Sequence, residues 1–268
     1  MVLAPSPSYR VEINNKKTTI SVLDLKEETM SRLIGRLLAS SALVAAGATA
    51  AHAQISDDVV RIGVLTDMSG IYSDLAGDGA VEAVRMAIED FGGEVHGAPI
   101  DLVVYDHLNQ ADVAAAKARE WFDIDGVDMI TDLSNSGAAL AVAGVARDMQ
   151  RHIIVNGSSN IGITNEVCSP YAVHWAYDAY SLANGTGKAV VENGGLDWYF
   201  VTVDFAFGVG LEEQVTGVVE EAGGRVLGSA RHPLGTTDFS SYMLQAQSSG
   251  AEIIGIASTG GDAINAIN

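Results

Sequence analysis

The stretch VVRIGVLTDMSGIYSDLAGDGAVEAVRMAIEDFGG (residues 59–93) decides the fold. Its first eight residues form a short, mostly apolar run rich in β-branched side chains, as in a strand buried on both faces of a sheet. A loop rich in Gly, Ser and Asp follows. From Ala80 onward, Val81, Val84, Ala87, Ile88 and Phe91 fall on one helical face. Gly92 and Gly93 then stop the helix. A buried strand, a polar loop and an amphipathic helix make the first half of a βαβ unit.

The same rhythm repeats outward. Strands are predicted over 99–105, 127–131 and 153–155, with helices over 113–122 and 138–149 between them. Such alternation means a parallel sheet with helices on both faces. Residues 157–180 break it with Cys168, Pro170 and the aromatics Tyr171, Trp175, Tyr177 and Tyr180. It then restarts with helices over 182–192, 210–222 and 239–248, strands over 198–203, 225–230 and 252–257, and a helix from about Gly261. The expected fold class is therefore α/β, with two doubly wound parallel-sheet lobes. Lobe I is placed at 54–175 and lobe II at 176–268, with a crossover near 173–180. Because the last helix is cut at Asn268, lobe II is expected to be incomplete.

The segment from Met30 reads differently. Arg32 and Arg36 make a basic head, residues 37–50 an apolar run, and Ala51-His52-Ala53 an A-x-A site. The run is too short for a membrane span, which needs about 20 residues. Residues 30–53 are thus expected to be a secretory signal peptide cleaved after Ala53, and 1–29 a spurious extension ahead of the true start. The compartment would be the periplasm.

Composition narrows the function. The chain carries 34 acidic and 15 basic residues, a net charge of −19, which repels phosphates and argues against nucleic acid. A single cysteine excludes an intrachain disulfide framework, and Cys168 is expected to be a buried free thiol. The six histidines lack HExxH or HxH spacing, so no metal site, cofactor or catalytic residue is predicted.

In a parallel sheet, ligands bind outside the carboxyl ends of the strands. The loops at 66–79, 106–110, 132–137 and 156–164 are rich in hydroxyls, amides and glycines and contain no lysine or arginine. Ser134-Asn135-Ser136-Gly137 leads into a helix, where such residues cap the helix and its free amides attract an anion. Gly157-Ser158-Ser159-Asn160 repeats this chemistry one strand later. Two uncharged loops side by side suit a carboxylate held without a salt bridge. Tyr72, Trp175, Tyr177, Phe205 and Phe207 lie in loops or crossovers, where they serve as inter-lobe packing or as the walls of a pocket for an apolar or aromatic body. Asp67, Asp106 and Asp132 each end a strand. A phosphotransferase or hydrolase built on them lacks its usual lysine and its DxDxT signature, so they read as solvated loop acids.

The blocks DHLNQADVAAAKAREW (106–121), LSNSGAALAV (133–142), CSPYAVHWAYDAYSLANGTGKAV (168–190), DFAFGVGLEEQV (204–215) and RHPLGTTDFSSYMLQAQSSGAEIIGIASTGGDAINAI (231–267), together with the opening stretch, resemble the periplasmic solute-binding proteins of branched-chain amino acid ABC transporters. The likeness is nearest to the branch associated with aromatic and other carboxylate solutes. It implies a type I periplasmic binding fold, a non-enzymatic role, a small carboxylate-bearing solute, a membrane permease as partner and a monomer. By the same resemblance, Asn135, Ser136, Gly157 and Ser159 hold the carboxylate. Tyr72 and Trp175 are candidates for the pocket wall on the concentration of aromatics alone. Phe207 stands where the family usually has a tyrosine facing the ligand. The family's acidic group for a ligand amine is expected beyond Asn268. The alternative reading is a ligand sensor of the same fold.

Overall fold

A computed structural model describes Ile55 and residues 57–268, so the signal peptide, the extension before it and the cleavage site after Ala53 lie outside the described residues. The first sheet has the order β2-β3-β1-β4-β5-β6. Its strands are β1 (Val60–Thr66), β2 (Glu94–Val95), β3 (Ala98–Asp106), β4 (Met129–Asp132), β5 (His152–Val155) and β6 (Ala172–His174). Every pairing is parallel except that of β2 with β3. The second sheet, β8-β7-β9, is wholly parallel, with β7 (Asp197–Val203) between β8 (Arg225–His232) and β9 (Ile253–Ala257).

Strand alternation sends side chains to opposite faces, and both faces of the first sheet carry helices. Leu65, Ile130 and Ile153 pack against α2 (Ala111–Asp123) and α3 (Ser136–Met149), which bring Trp121, Phe122, Val142 and Ala146. Val60, Ile62, Met129 and Ile154 face α1 (Gly77–Phe91) on the other side. The second sheet divides likewise. Trp198 and Phe200 pack with Val191 of α5 (Lys188–Glu192) and Val219 of α6 (Ala206–Glu221), whereas Val201 packs with Phe239 and Ala246 of the α7 region (Ser240–Ser248). A last helix, α8, spans Gly260–Ile267.

The differences from the sequence reading are local and have causes. β2 is a two-residue strand closed onto β3 by His96-Gly97, at φ 51° and 86°, a tight turn that a two-residue run cannot announce. β6 lies in the stretch read as irregular and adds only three residues to the sheet edge. The helix expected at 182–192 begins at Ala179, where Asp178 and Ser181 form a reciprocal capping box. It runs from α4 (Ala179–Leu182) through a π-helical turn at Ala183–Gly187, which contains two glycines, into α5. α6 starts at Ala206, four residues before the expected Gly210, because Gly208 and Gly210 read as a loop. Gly208 is in the helix for a steric reason: a Cβ there would sit 2.4 Å from the Val203 carbonyl oxygen. Cys168 is exposed, which corrects the expected buried thiol; it lies in the polar turn ahead of β6, away from both cores.

Gly63 gives the fold its sharpest steric test. A Cβ at this central-strand position would meet the Trp121 ring at 2.5 Å. Trp121 is buried and packs edge-on to Tyr105, so it has nowhere to retreat. Gly63→Ala should destabilise the protein by about 1–3 kcal/mol through overpacking, seen as a melting temperature lower by several degrees. An unchanged melting temperature would mean that the ring moves freely and is not part of a fixed core.

Candidate functional site

The carboxyl ends of β1, β3, β4 and β5 point the same way and deliver their loops to one rim. Asp67, at the end of β1, accepts hydrogen bonds from the amides of Gly70 (2.7 Å) and Tyr72 (2.8 Å) and from the side-chain amide of Asn109. Asp106, at the end of β3, accepts from the Leu108 amide (2.8 Å), the Met68 amide (3.2 Å) and the Ser69 hydroxyl (2.6 Å). Burial would raise the Asp106 carboxyl, but those three donors more than offset it and hold it below the usual carboxylate range. These two acids are clamps for their loops. Asp67 and Asp132 are buried and not solvated, which corrects the reading of them as solvated loop acids. Beside them His107 is fully buried, and burial, only partly opposed by Asp67 and Asp106, lowers it to about 4, so its ring is neutral at pH 7.

The β4 loop turns through two consecutive left-handed residues, Asp132 (φ 76°) and Leu133 (φ 60°), backbone strain of the kind that concentrates at functional sites. Ser134 is held by Thr66, hydroxyl to hydroxyl at 3.1 Å. Asn135 caps α3 by accepting from the Ala138 amide at 2.9 Å, and its amide group donates to the Asn109 side-chain oxygen at 3.2 Å. Ser136 lies 3.0 Å from Ser158, hydroxyl to hydroxyl, which ties the β4 loop to the β5 loop. Gly157 makes that approach possible: a Cβ there would stand 2.6 Å from Ser134 Cα and 2.9 Å from its amide nitrogen. His174 of β6 buttresses the β5 loop through the Ser158 carbonyl at 2.6 Å.

Facing these loops, the second lobe closes a cavity of 510 Å³. Tyr72, Ser136, Gly157, Ser159 and Phe207 all line it, so five of the seven candidate residues come together. Asn135 and Trp175 do not line it. The Asn135 side chain is engaged by the helix cap and Asn109, and Trp175 is 76% exposed on the outside of the crossover. Tyr177, from the same crossover, takes the wall position, with Phe205 and Leu211 from the α6 end. Sequence reasoning missed Asp132, Ser258 and Thr259 as lining residues. Ser258 and Thr259 follow β9 and occupy the same strand-end position in lobe II as the serine loops in lobe I, a signal that was available.

Among the described residues no lysine, arginine or histidine lines the cavity. The Ser159 hydroxyl, the Tyr72 hydroxyl and one Asp132 carboxylate oxygen are buried on its walls without a hydrogen-bond partner. Buried polar atoms in that state cost free energy until something meets them. Burial, then the carboxylates of Asp262 and Asp67, push the Tyr72 phenol above its ordinary value. Burial likewise pushes the Asp132 carboxyl up, against a smaller opposing effect of the Thr66 hydroxyl. Chemically, the cavity offers neutral donors at its lobe I end, aromatic and aliphatic walls, and acceptors behind them.

The sequence profile of a family described as periplasmic binding protein matches residues 59–268. The chain belongs to that family. A periplasmic binding protein from Burkholderia mallei is similar in structure, at 52% identity with a TM-score of 0.78, over 79% of this chain and 56% of that one. The curated "Leu/Ile/Val-binding protein homolog 6" of Brucella abortus is 27% identical over 80% of this chain and 54% of its own length. An ABC transporter solute-binding protein from R. palustris, solved in complex with 4-hydroxybenzoate, is 25% identical with a TM-score of 0.71, over 78% of this chain and 56% of that one. The chain thus spans about half the length of the curated relatives it matches. Its two-lobed α/β architecture is that of the type I periplasmic binding proteins.

The raised Asp132 carboxyl yields a signed prediction. An acid whose folded value is above its ordinary one costs stability when ionised, and that cost grows as pH rises through the interval between the two values. Asp132→Asn, which tolerates the left-handed backbone, should therefore raise the melting temperature at pH 7. Its advantage should shrink as pH falls toward the ordinary carboxylate value of 3.8. Melts across that range that show a destabilised or pH-independent variant would contradict the assignment.

Proposed function

We propose that this protein is the extracytoplasmic solute-binding component of an ABC importer and that it holds a small carboxylate-bearing solute between its two lobes. The observation that carries this reading is the pair of uncharged serine loops at the cavity, with the Ser159 hydroxyl buried and unpartnered. A carboxylate accepts hydrogen bonds strongly and can be stabilised by hydroxyls and helix amides with no cation present. Leucine, isoleucine, valine and 4-hydroxybenzoate, the solutes in the names of the relatives, share a carboxylate on an apolar body. Ser136, Ser159 and the backbone at Gly157 are assigned to the carboxylate, and Tyr72, Tyr177 and Phe207 to the body of the solute.

Closure has a physical basis in the same residues. Asn160, on the loop of Ser159, donates to the Ala206 carbonyl of lobe II at 2.9 Å, and the Phe205 ring lies 3.1 Å from where a Gly137 Cβ would be. A solute that bridges the lobes stabilises this closed arrangement, and a membrane permease would recognise it. On this reading the protein is a monomer that performs no catalysis, and residues 30–53 direct it to the periplasm as a cleaved signal peptide.

Calorimetry with leucine and 4-hydroxybenzoate as probes tests the assignment. Ser136→Ala or Ser159→Ala removes a donor from a buried charge, an effect of about 1.5–3 kcal/mol, or roughly tenfold to a hundredfold in Kd. The melting temperature of the unliganded Ser159→Ala variant should change little, because that hydroxyl has no partner to lose. Unaltered affinity in both variants would move the carboxylate away from these loops.

A further inference from the structure

The lobe II wall contains a chain of buried polar groups that the carboxylate assignment does not use. Ser258, on the cavity wall, has its hydroxyl oxygen 3.3 Å from Nε2 of His232. His232 is fully buried at the end of β8, packed edge-on against Phe239 with ring centroids 4.6 Å apart. Its other ring nitrogen, Nδ1, lies 3.0 Å from the Pro233 carbonyl oxygen and 4.0 Å from a carboxylate oxygen of Asp262. Asp262 is also fully buried, and its second oxygen has no partner.

Hydrogen-bond direction follows from these neighbours. The Pro233 carbonyl can only accept, so on the neutral imidazole the proton belongs on Nδ1. Nε2 is then a bare acceptor, and the Ser258 hydroxyl must donate to it. With its one proton committed inward, the Ser258 oxygen presents only lone pairs to the cavity. The lobe I end of the cavity offers donors from the serine loops. The lobe II end offers an acceptor.

We propose that Ser258, with His232 as its positioning residue, is an acceptor subsite that selects carboxylate solutes bearing a hydrogen-bond donor, a hydroxyl or an ammonium, away from the carboxylate. This rests on the reading of the cavity as a carboxylate site and adds to it the polarity of the opposite wall. A solute without the donor leaves the Ser258 lone pairs facing an apolar group, a loss of about tenfold in affinity.

The test uses the full chain and two matched pairs of probes: 4-hydroxybenzoate with benzoate, and 5-aminopentanoate with pentanoate, its counterpart without the amine. The wild type should prefer the donor-bearing member of at least one pair by about tenfold, and the pair that responds tells a hydroxyl from an ammonium. Ser258→Ala should abolish that preference, a change in selectivity between matched probes that a merely structural defect would not produce. His232→Gln, whose side-chain oxygen can accept in place of Nε2, should keep the preference, and His232→Leu should lose it. If His232→Leu fails to fold, Ser258→Ala alone still decides. Equal binding within both pairs, or a preference that survives Ser258→Ala, overturns the subsite while leaving the carboxylate reading intact. Binding of none of the four probes overturns the carboxylate reading and the subsite with it.

Discussion

Two loops that leave adjacent strands are pressed together so closely at Gly157 that no side chain fits between them. Where a Cβ would be, the Ser134 backbone already stands at 2.6 Å. That contact depends on the parallel pairing of β4 with β5, which brings the strand ends level, and on the left-handed turn at Asp132 and Leu133, which folds the β4 loop back. From it follow the Ser136–Ser158 hydroxyl pair, the aim of the α3 amino end and the burial of Ser159. Each neighbouring loop is then locked by a carboxylate, Asp67 or Asp106, whose acceptor capacity goes to backbone amides and to the side chains of Asn109 and Ser69. The result is a rim of neutral hydroxyls and amides held by their own hydrogen bonds.

Electrostatics explain why neutral donors suit this chain. With a net charge of −19 the protein's field repels an anion at long range. Capture must therefore come from short-range hydrogen bonds made where water is excluded and each bond is stronger. The cavity wall also contains Asp132, an acid at the very place where a second negative charge is least welcome. Burial favours its protonated form, which reduces the conflict. Lobe II presents the opposite polarity, with Asp262 and His232 behind Ser258. A solute that is negative at one end and a donor at the other matches both walls.

Much of the architecture is legible in the sequence because buried parallel strands write themselves as β-branched apolar runs, as in residues 59–66 and 198–203. Elements too short to show a period are not: β2 and β6 exist only through the pairing that a neighbouring strand supplies. The early start of α6 was hidden because Gly208 reads as a loop breaker, and only the contact with Val203 explains it. In the site, Ser136 and Ser159 were legible as strand-end hydroxyls. Asn135 carried the same signal and is engaged by a cap, a choice that local sequence cannot make. Trp175 and Tyr177 are two residues apart in an irregular crossover, so composition could not tell which one faces inward. The Ser258–His232–Asp262 chain joins β8, β9 and α8, and spacing along the chain gives no hint of it.

The account's central claim is that a carboxylate is held by uncharged donors from the β4 and β5 loops. A crystal structure with the tightest-binding of leucine, benzoate and 4-hydroxybenzoate tests it most directly. The carboxylate oxygens should lie within about 2.7–3.2 Å of the Ser136 and Ser159 hydroxyls or of the amides at the start of α3, with no cation beside them. A carboxylate turned toward Ser258, or paired with a lysine or arginine, would contradict it.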